Sequence, residues 1–172
     1  MRKARTCSTE CGVDHIRRVV LGLGSNVGDR VKNINQAVDD LRLDRDMHVL
    51  KVSPLYETEP QGGPPQADFV NGAVLVLTSL PAAEILRRTM AVEAMLGRVR
   101  GARNMPRIID LDILWIEGEG VAEDGLTVPH PRLTERSFAL RPLVDLAADA
   151  KDEQGAAYAD LPLAKIDLKP AV

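Results

Sequence analysis

The stretch from Arg98 to Trp115 reads RVRGARNMPRIIDLDILW and joins a basic segment to an apolar one. Four arginines fall within ten residues of its first half. From Ile108 to Ile116 the side chains are almost all isoleucine, leucine and tryptophan, which is typical of a buried strand. Asp110 and Asp112 interrupt this apolar run. Because side chains alternate along a strand, both carboxylates share one face, roughly 6.6 Å apart at the backbone.

Two carboxylates on an apolar strand lose hydration and repel each other, so they usually have a partner or a metal ion. Mg²⁺ suits this arrangement, because it prefers oxygen ligands and often sits between carboxylates and the phosphates of a substrate. The upstream arginines would add planar donors for a polyphosphate; they are Arg98, Arg100, Arg103 and Arg107. The alternative is a structural ion-pair network at a sheet edge. The adjacency of both residue types favours the phosphate and metal site.

The composition is that of one soluble globular domain of 172 residues, with 45% hydrophobic and 27% charged residues. We expect residues 1–17 to form a flexible leader and residues 18–172 a single domain. The net charge of −3 argues against a general nucleic-acid or membrane-surface binder. The chain has neither an apolar run long enough for a membrane span nor a secretory signal. The expected location is therefore cytoplasmic, with no nucleic acid and no membrane among the partners.

The leader contains both cysteines of the chain, Cys7 and Cys11, which with His15 give the spacing C-x3-C-x3-H. This spacing would align the three side chains on one helix face. A structural zinc site needs a fourth ligand, and the surrounding sequence offers no obvious one. We therefore favour an exposed, poorly ordered leader over a metal site.

Hydrophobic periodicity predicts six principal elements in the order strand, helix, strand, strand, helix, strand. The predicted strands cover residues 18–24, 47–57, 69–78 and 108–116, and the predicted helices cover residues 29–43 and 81–96. This order is that of the split βαβ, ferredoxin-like fold. It predicts an α+β protein whose antiparallel sheet has its helices packed on one face. A third helix is expected over residues 133–148, kinked or divided at Pro142, followed by a loosely packed tail.

Several polar features have two interpretations each. The segment from Thr58 to Asp68 holds three prolines and two glycines, and is either a functional lid or a connector. Asn71, a polar residue in a predicted strand, is either a ladder-edge residue or a ligand contact. Glu93, near a helix C-terminus, would pair with an arginine or bind a ligand. His130, held between two prolines, is either structural or functional.

Between Val19 and Ala148 the chain resembles the 6-hydroxymethyl-7,8-dihydropterin pyrophosphokinase family of folate synthesis. The matching stretches, in order, are LGLGSNVGDR, SPLYETEP, ADFVNGAV, LGRVR, PRIIDLDILW and LTVPHPRLTERSFALRPL. The PRxxDLDIL stretch is the most specific of them. The resemblance implies transfer of the pyrophosphoryl group of ATP to the hydroxymethyl group of the pterin, with release of AMP. It also implies ATP as co-substrate and two Mg²⁺ ions as cofactors.

The resemblance also implies a role for individual residues. Asp110 and Asp112 would be the Mg²⁺ ligands, and together with Arg98 and Arg107 they would be the catalytic groups. The implied ATP-binding residues are Glu93, Arg98, Arg100, Arg107, Ile113, Thr127, His130 and Arg136. The implied pterin-binding residues are Asn26, Thr58, Phe69, Asn71 and Phe138.

The arginine segment departs from the family pattern. Some members carry tryptophan just before Gly-Pro-Arg, whereas here the residues are Asn104, Met105, Pro106 and Arg107, and the segment is one residue shorter. Aromatic stacking from this segment is therefore lost or supplied elsewhere, and the role of Arg103 stays open. Phe69 stands where the family often has tyrosine, and Pro131 follows His130 where some members have tyrosine.

Two other classes of function compete with the enzyme. A ferredoxin-like RNA-binding module would display aromatic residues and a basic face. Only 3% of the residues are aromatic and the net charge is negative, which disfavours this class. A catalytically inactive homologue is disfavoured because both aspartates and Arg107 are present. We expect ATP and a reduced pterin as partners, and a monomer or weak homodimer.

Overall fold

The computed structural model describes residues 15–99 and 105–171. The helices are α1 (Arg30–Arg42), α2 (Ala82–Met95) and α3 (Ser137–Leu146). The strands are β1 (Arg17–Ser25), β2 (His48–Val52), β3 (Tyr56–Thr58), β4 (Phe69–Thr78), β5 (Asp110–Ile116), β6 (Val121–Glu123), β7 (Leu126–Val128) and β8 (Lys169–Pro170). Cys7 and Cys11, the cysteines of the expected leader, lie outside the described residues, as do Arg100, Arg103 and Asn104.

The main sheet is antiparallel and follows the order β5-β1-β4-β3-β8, with β2 also paired to β4. This is the predicted α+β arrangement, with β1 and β4 at its centre. The sequence predicted one strand over residues 47–57, which is wrong in one respect. Pro54, which has no backbone N–H to donate, lies between β2 and β3 and divides that strand into two.

Helices α1 and α2 cover one face of the sheet, as predicted. Helix α1 begins after Asp29, whose carboxylate accepts a hydrogen bond from the backbone N–H of Lys32 at 3.0 Å. Helix α2 is followed by Gly97, whose φ of +85° suits a residue without a side chain. Between the helices and the sheet lies the larger core, to which β1 contributes Val19, Leu21 and Leu23.

Helix α3 and the C-terminal segment cover the opposite face, and here two predictions were wrong. The predicted helix over residues 133–148 is a 3₁₀ turn at Leu133–Glu135 followed by α3. The division falls at Arg136, which is extended, and not at Pro142, which lies inside α3. Nor is the tail loosely packed, because Tyr158 and Ala164 are buried against α3 and the sheet. Among the described residues, no helix is long and apolar enough to cross a membrane.

Candidate active site

The side chains of three strands form the floor of a cleft on the sheet face that α3 covers. Gly24 of β1 lies between Asn71 of β4 and Asp110 of β5, and Gly22 lies opposite Asp112. The two glycines leave open space between the amide and the carboxylates. A Cβ atom at Gly24 would lie only 2.9 Å from the Asn71 Oδ1 atom. The shared face of Asp110 and Asp112, predicted from strand alternation, is confirmed by this register.

The cleft is bordered by loops and by α3. Many of the residues expected at the site line it together: Thr58, Phe69, Asn71, Arg107, Asp110, Asp112, His130, Arg136 and Phe138. They come from parts of the chain far apart in sequence, and the strand register brings them to one place. The segment over residues 58–68 borders the cleft, which favours a functional loop over a connector.

Asp110 is held by two arginines. The Nη1 atom of Arg98 lies 2.6 Å from its Oδ1, and the Nη1 atom of Arg107 pairs with its Oδ2. Arg98 also pairs with Glu93, a buried carboxylate on α2 that accepts a hydrogen bond from the backbone N–H of Leu111 at 2.7 Å. Burial raises the pKa of Glu93. The ion-pair network proposed as an alternative therefore exists, and it lies at the edge of the cleft.

Asp112 differs from its neighbour, because its carboxylate makes no hydrogen bond or ion pair within the described part of the chain. Burial, and then the charges of Asp110 and Glu93, raise its pKa to about 6, although Arg107 and Arg98 act in the opposite direction. A desolvated carboxylate without a close cation is suited to a metal ion. The described residues contain no group of three or more histidine, cysteine or acidic side chains placed to bind a metal. A metal bound by two carboxylates would therefore take its other ligands from phosphate and water, as Mg²⁺ does.

A histidine and an arginine, His130 and Arg136, also line the cleft. The backbone N–H of His130 donates to the carbonyl of Leu114 at 2.9 Å, and its Nδ1 accepts from the backbone N–H of Arg132 at 3.1 Å. The ring proton is therefore on Nε2. Burial, followed by the charges of Arg136 and Arg132, lowers the pKa of His130, so the ring is neutral at pH 7.

Arg136 carries an unsatisfied donor beside the cleft. Its buried Nε makes no hydrogen bond within the described residues. Its guanidinium carbon lies 5.6 Å from the centre of the Phe138 ring, and burial lowers its pKa. An anionic ligand in the cleft could accept a hydrogen bond from the Arg136 guanidinium and would stabilise its positive charge.

The cleft also has features that suit a flat heterocycle. The amide nitrogen of Asn71 donates to the Thr58 hydroxyl at 2.6 Å, which holds both side chains in place. The half-buried rings of Phe69 and Phe138 line the same space from β4 and α3. Aromatic faces beside a fixed amide and hydroxyl can bind a planar ring and read the donors and acceptors on its rim.

Some expected residues do not line the cleft. The Ile113 side chain lies in the core against α1 and α2, and Thr127 is exposed on β7. Asn26 is buried next to the cleft, and its amide is bonded to other parts of the protein. Glu93 and Arg98 act on the cleft through Asp110, and Arg100 lies outside the described residues.

Sequence reasoning missed several lining residues, and those with polar or flexible side chains lie in loops: Glu59, Gln61, Gln66 and Met105. Loops carry no periodic pattern, so only proximity to predicted residues could have indicated them. Met105 lies two residues from Arg107 and was the easiest to find. Met105 lies in the arginine segment that lacks the tryptophan of some family members. Its partly exposed thioether side chain lines the cleft in part of the space that an aromatic residue would fill.

A solved structure of Plasmodium falciparum HPPK-DHPS has the same fold, with a TM-score of 0.65 over 86% of this chain and 44% of that one. At 15% identity this likeness concerns the fold alone. This chain thus spans less than half of that protein's length.

Sequence comparison gives closer matches. The 2-amino-4-hydroxy-6-hydroxymethyldihydropteridine pyrophosphokinase of Bacillus subtilis is 44% identical over 140 residues, covering 81% of this chain and 84% of the relative. The protein of the same name from Methylorubrum extorquens is 41% identical over 132 residues, covering 77% and 84%. The profile of the family described as 7,8-dihydro-6-hydroxymethylpterin-pyrophosphokinase (HPPK) matches residues 20–148. With the cleft as described, these matches show that the chain belongs to the 7,8-dihydro-6-hydroxymethylpterin-pyrophosphokinase family.

Proposed function

We propose that the cleft binds ATP and the pterin side by side, with Asp110 and Asp112 at the point where the two substrates meet. As a member of its family, the chain transfers the pyrophosphoryl group of ATP to 6-hydroxymethyl-7,8-dihydropterin in folate biosynthesis and releases AMP. One observation carries the assignment of residues. The paired carboxylates lie on a glycine-lined floor of a cleft that Arg107, Arg136, Phe69 and Phe138 also line.

The arginine side chains at the cleft would bind the triphosphate. Arg107 and Arg136 line the cleft, and Arg98 forms an ion pair with Asp110, which also lines it. In the structure Arg98 and Arg107 are paired with the Asp110 carboxylate. In the presence of the substrate they would exchange that carboxylate for phosphate oxygens, which offer planar guanidinium groups equally good partners. His130 would add a neutral donor through Nε2.

Asp110 and Asp112 would hold Mg²⁺, and we propose two ions for the complex with ATP. Their oxygen ligands, their shared face and the unpaired state of Asp112 fit this cation. Bound Mg²⁺ supplies positive charge that offsets the charge of the triphosphate and of the leaving AMP. Glu93 would position Arg98 and the start of β5, since it contacts Arg98 and the Leu111 N–H.

The aromatic side chains of the cleft, together with Asn71 and Thr58, would bind the pterin. Asn71 and Thr58 would read the rim of the ring system, while Phe69 and Phe138 contact its faces. Phosphoryl transfer depends mainly on positioning and electrostatic stabilisation, so the protein has to fix the pterin hydroxyl in line with the β-phosphorus. The loop over residues 58–68 would exclude water, which would otherwise hydrolyse ATP.

Some assignments rest on the resemblance only. Ile113 and Thr127 have side chains outside the cleft, so any contact with the nucleotide would come from other atoms or from a rearranged state. The nucleotide contact of Arg100 and the cytoplasmic location stay predictions. We propose a monomer or weak homodimer as the working form, because a single chain supplies all the lining residues described above.

The test of this proposal is product analysis. The purified protein is incubated with ATP, Mg²⁺ and 6-hydroxymethyl-7,8-dihydropterin, and the nucleotides are separated by chromatography. We expect AMP to form only when the pterin is present, and in equal amount to the pterin diphosphate. Formation of ADP would contradict pyrophosphoryl transfer. Absence of turnover by the folded protein would support the inactive homologue.

A further inference from the structure

Asn26 occupies an unusual place at the end of β1. Only 5% of its surface is exposed, yet its side chain contacts two separate loops. The Nδ2 atom donates to the Gln66 Oε1 at 2.9 Å and to the Ala67 carbonyl at 3.1 Å. The Oδ1 atom accepts from the backbone N–H of Arg107 at 2.8 Å, and the Asn26 N–H donates to the Arg107 carbonyl at 3.0 Å.

Each of these loops supplies a side chain to the cleft. Gln66 lines it from the segment between β3 and β4, and Arg107 lines it from the segment before β5. Arg107 also pairs with Asp110. The path from Gln66 to Asp110 therefore runs through one carboxamide, one backbone unit and one guanidinium group.

The base of this connection is held firmly. Asn26 follows a central strand of the sheet, and its neighbour Ser25 donates a hydrogen bond to the Ile108 carbonyl at 2.5 Å. Asn33 of α1 donates to the Val27 carbonyl at 2.8 Å and so supports the same turn. A displacement of either loop would therefore act on the Asn26 amide and not be absorbed by movement of its backbone.

We propose that Asn26 is a positioning residue that couples the binding of the two substrates, so that a bound nucleotide alters the affinity of the cleft for the pterin. This inference rests on the function proposed above. The resemblance assigns Asn26 to the pterin itself, but both ends of its amide are bonded to protein atoms, and it is not among the described residues that line the cleft. Because coupling between two sites is reciprocal, the pterin would alter nucleotide affinity by the same factor.

The coupling factor is measured by equilibrium binding. Calorimetry gives the Kd of 6-hydroxymethylpterin with and without saturating α,β-methylene ATP and Mg²⁺, and the reverse titration checks reciprocity. For the unmodified protein we expect the two Kd values to differ by on the order of tenfold or more. Asn26→Ala removes the side-chain hydrogen bonds to both loops. In this variant we expect a coupling factor near one, and the Kd of each ligand measured alone should change by less than about threefold.

Asn26→Asp separates the contribution of the hydrogen bonds to Gln66 and Ala67 from that of the hydrogen bond to Arg107. Its carboxylate retains an acceptor for the Arg107 N–H but has no donor for the Ala67 carbonyl, which it would repel. We expect it to lose the coupling as Asn26→Ala does, and it serves as the test if the alanine variant does not fold. Asn33→Ala is the matched control, because it weakens the same turn without touching either loop, and its coupling factor should equal that of the unmodified protein.

A different pattern would overturn the inference. If Asn26→Ala weakened pterin binding equally with and without the nucleotide, Asn26 would be a ligand contact. If Asn33→Ala lost the coupling as well, the effect would belong to the turn as a whole. An unmodified protein that forms AMP but shows no coupling would refute this inference alone, whereas one that forms no AMP would refute the proposed function.

Discussion

At the scale of single residues, the two aspartates of β5 have opposite surroundings although they lie two positions apart. Asp110 is neutralised by Arg98 and Arg107, whereas Asp112 has no ion pair within the described residues, and desolvation raises its pKa to about 6. A buried charge without a close partner destabilises a folded protein. The folded chain therefore carries a local instability at the place where we propose that a cation binds.

We expect Asp112→Asn to stabilise the metal-free protein while removing one of the two proposed Mg²⁺ ligands. The amide has nearly the same shape but no charge, so the free energy of unfolding at pH 8 in EDTA should rise by about 1–3 kcal/mol. Urea unfolding monitored by circular dichroism measures the change. Asp124→Asn, an exposed aspartate between β6 and β7, is the control and should have no effect. A loss of stability in Asp112→Asn would show that the carboxylate has a stabilising partner.

The bare backbone at Gly24 is the second feature at this scale. A Cβ atom there would lie 2.9 Å from the Asn71 Oδ1 and 3.8 Å from the Asp110 Cβ. We expect Gly24→Ala to displace the Asn71 amide and to raise the KM for the pterin about tenfold, which corresponds to about 1.4 kcal/mol of lost binding. The KM for ATP should change much less. Steady-state kinetics with each substrate varied in turn would check this, and an equal rise in both KM values would contradict the assignment of Asn71 to the pterin.

At the scale of elements, the link between β7 and α3 holds His130 in a half-buried position, where partial burial lowers its pKa. The unfolded chain takes up a proton at His130 near pH 6.5, while the folded protein does so only at lower pH. The unfolded state therefore binds more protons below about pH 6.5, and His130 makes the folded state less stable as the pH falls.

We expect His130→Asn to lose less stability than the unmodified protein between pH 7.5 and pH 5.5. The Asn Oδ1 can replace Nδ1 as acceptor for the Arg132 N–H, so the structural bond is retained. Urea unfolding at both pH values should show a difference of up to about 1 kcal/mol. His48→Asn on the exposed strand β2 is the matched control. Equal pH dependence in His130→Asn and the unmodified protein would mean that His130 titrates normally in the folded state.

The same scale explains what could be predicted from the sequence. The elements from β1 to β5 follow clear periods of two or 3.6 residues, and the strand alternation placed both aspartates on one face. The break at Arg136 could not be predicted, because it depends on the burial of Leu133 and Leu140 on either side of it. The roles of Asn26 and Ile113 depend on which tertiary partners they meet, and a local pattern carries no information on that.

At the scale of the whole molecule, the sheet is covered on both faces, and the second cover includes the C-terminal segment. Tyr158 is only 3% exposed and packs with α3 against the sheet. The Tyr56 hydroxyl on β3 donates to Asp145 of α3 at 2.6 Å, and Lys169 of β8 pairs with Glu57 at 2.5 Å. The packing of Tyr158 and the Tyr56–Asp145 hydrogen bond hold α3, and with it Phe138, over the cleft.

We expect Tyr158→Ala to lower the free energy of unfolding by about 3–5 kcal/mol, because it leaves a large cavity in the second core. Ile166→Ala is the control, since that side chain is 40% exposed and should contribute less than about 1 kcal/mol. Urea unfolding of both variants measures the difference. A small effect in Tyr158→Ala would favour the loosely packed tail that the sequence had suggested.

The measurement that bears most directly on the whole account is a comparison of reaction products between the unmodified enzyme and Asp112→Asn, at equal concentration and with folding confirmed by circular dichroism. We predict AMP and pterin diphosphate in equal amounts from the unmodified protein, and a rate lowered by at least about a thousandfold in the variant. An Asp112→Asn protein that still forms AMP at the unmodified rate would contradict the placement of pyrophosphoryl transfer at the two aspartates.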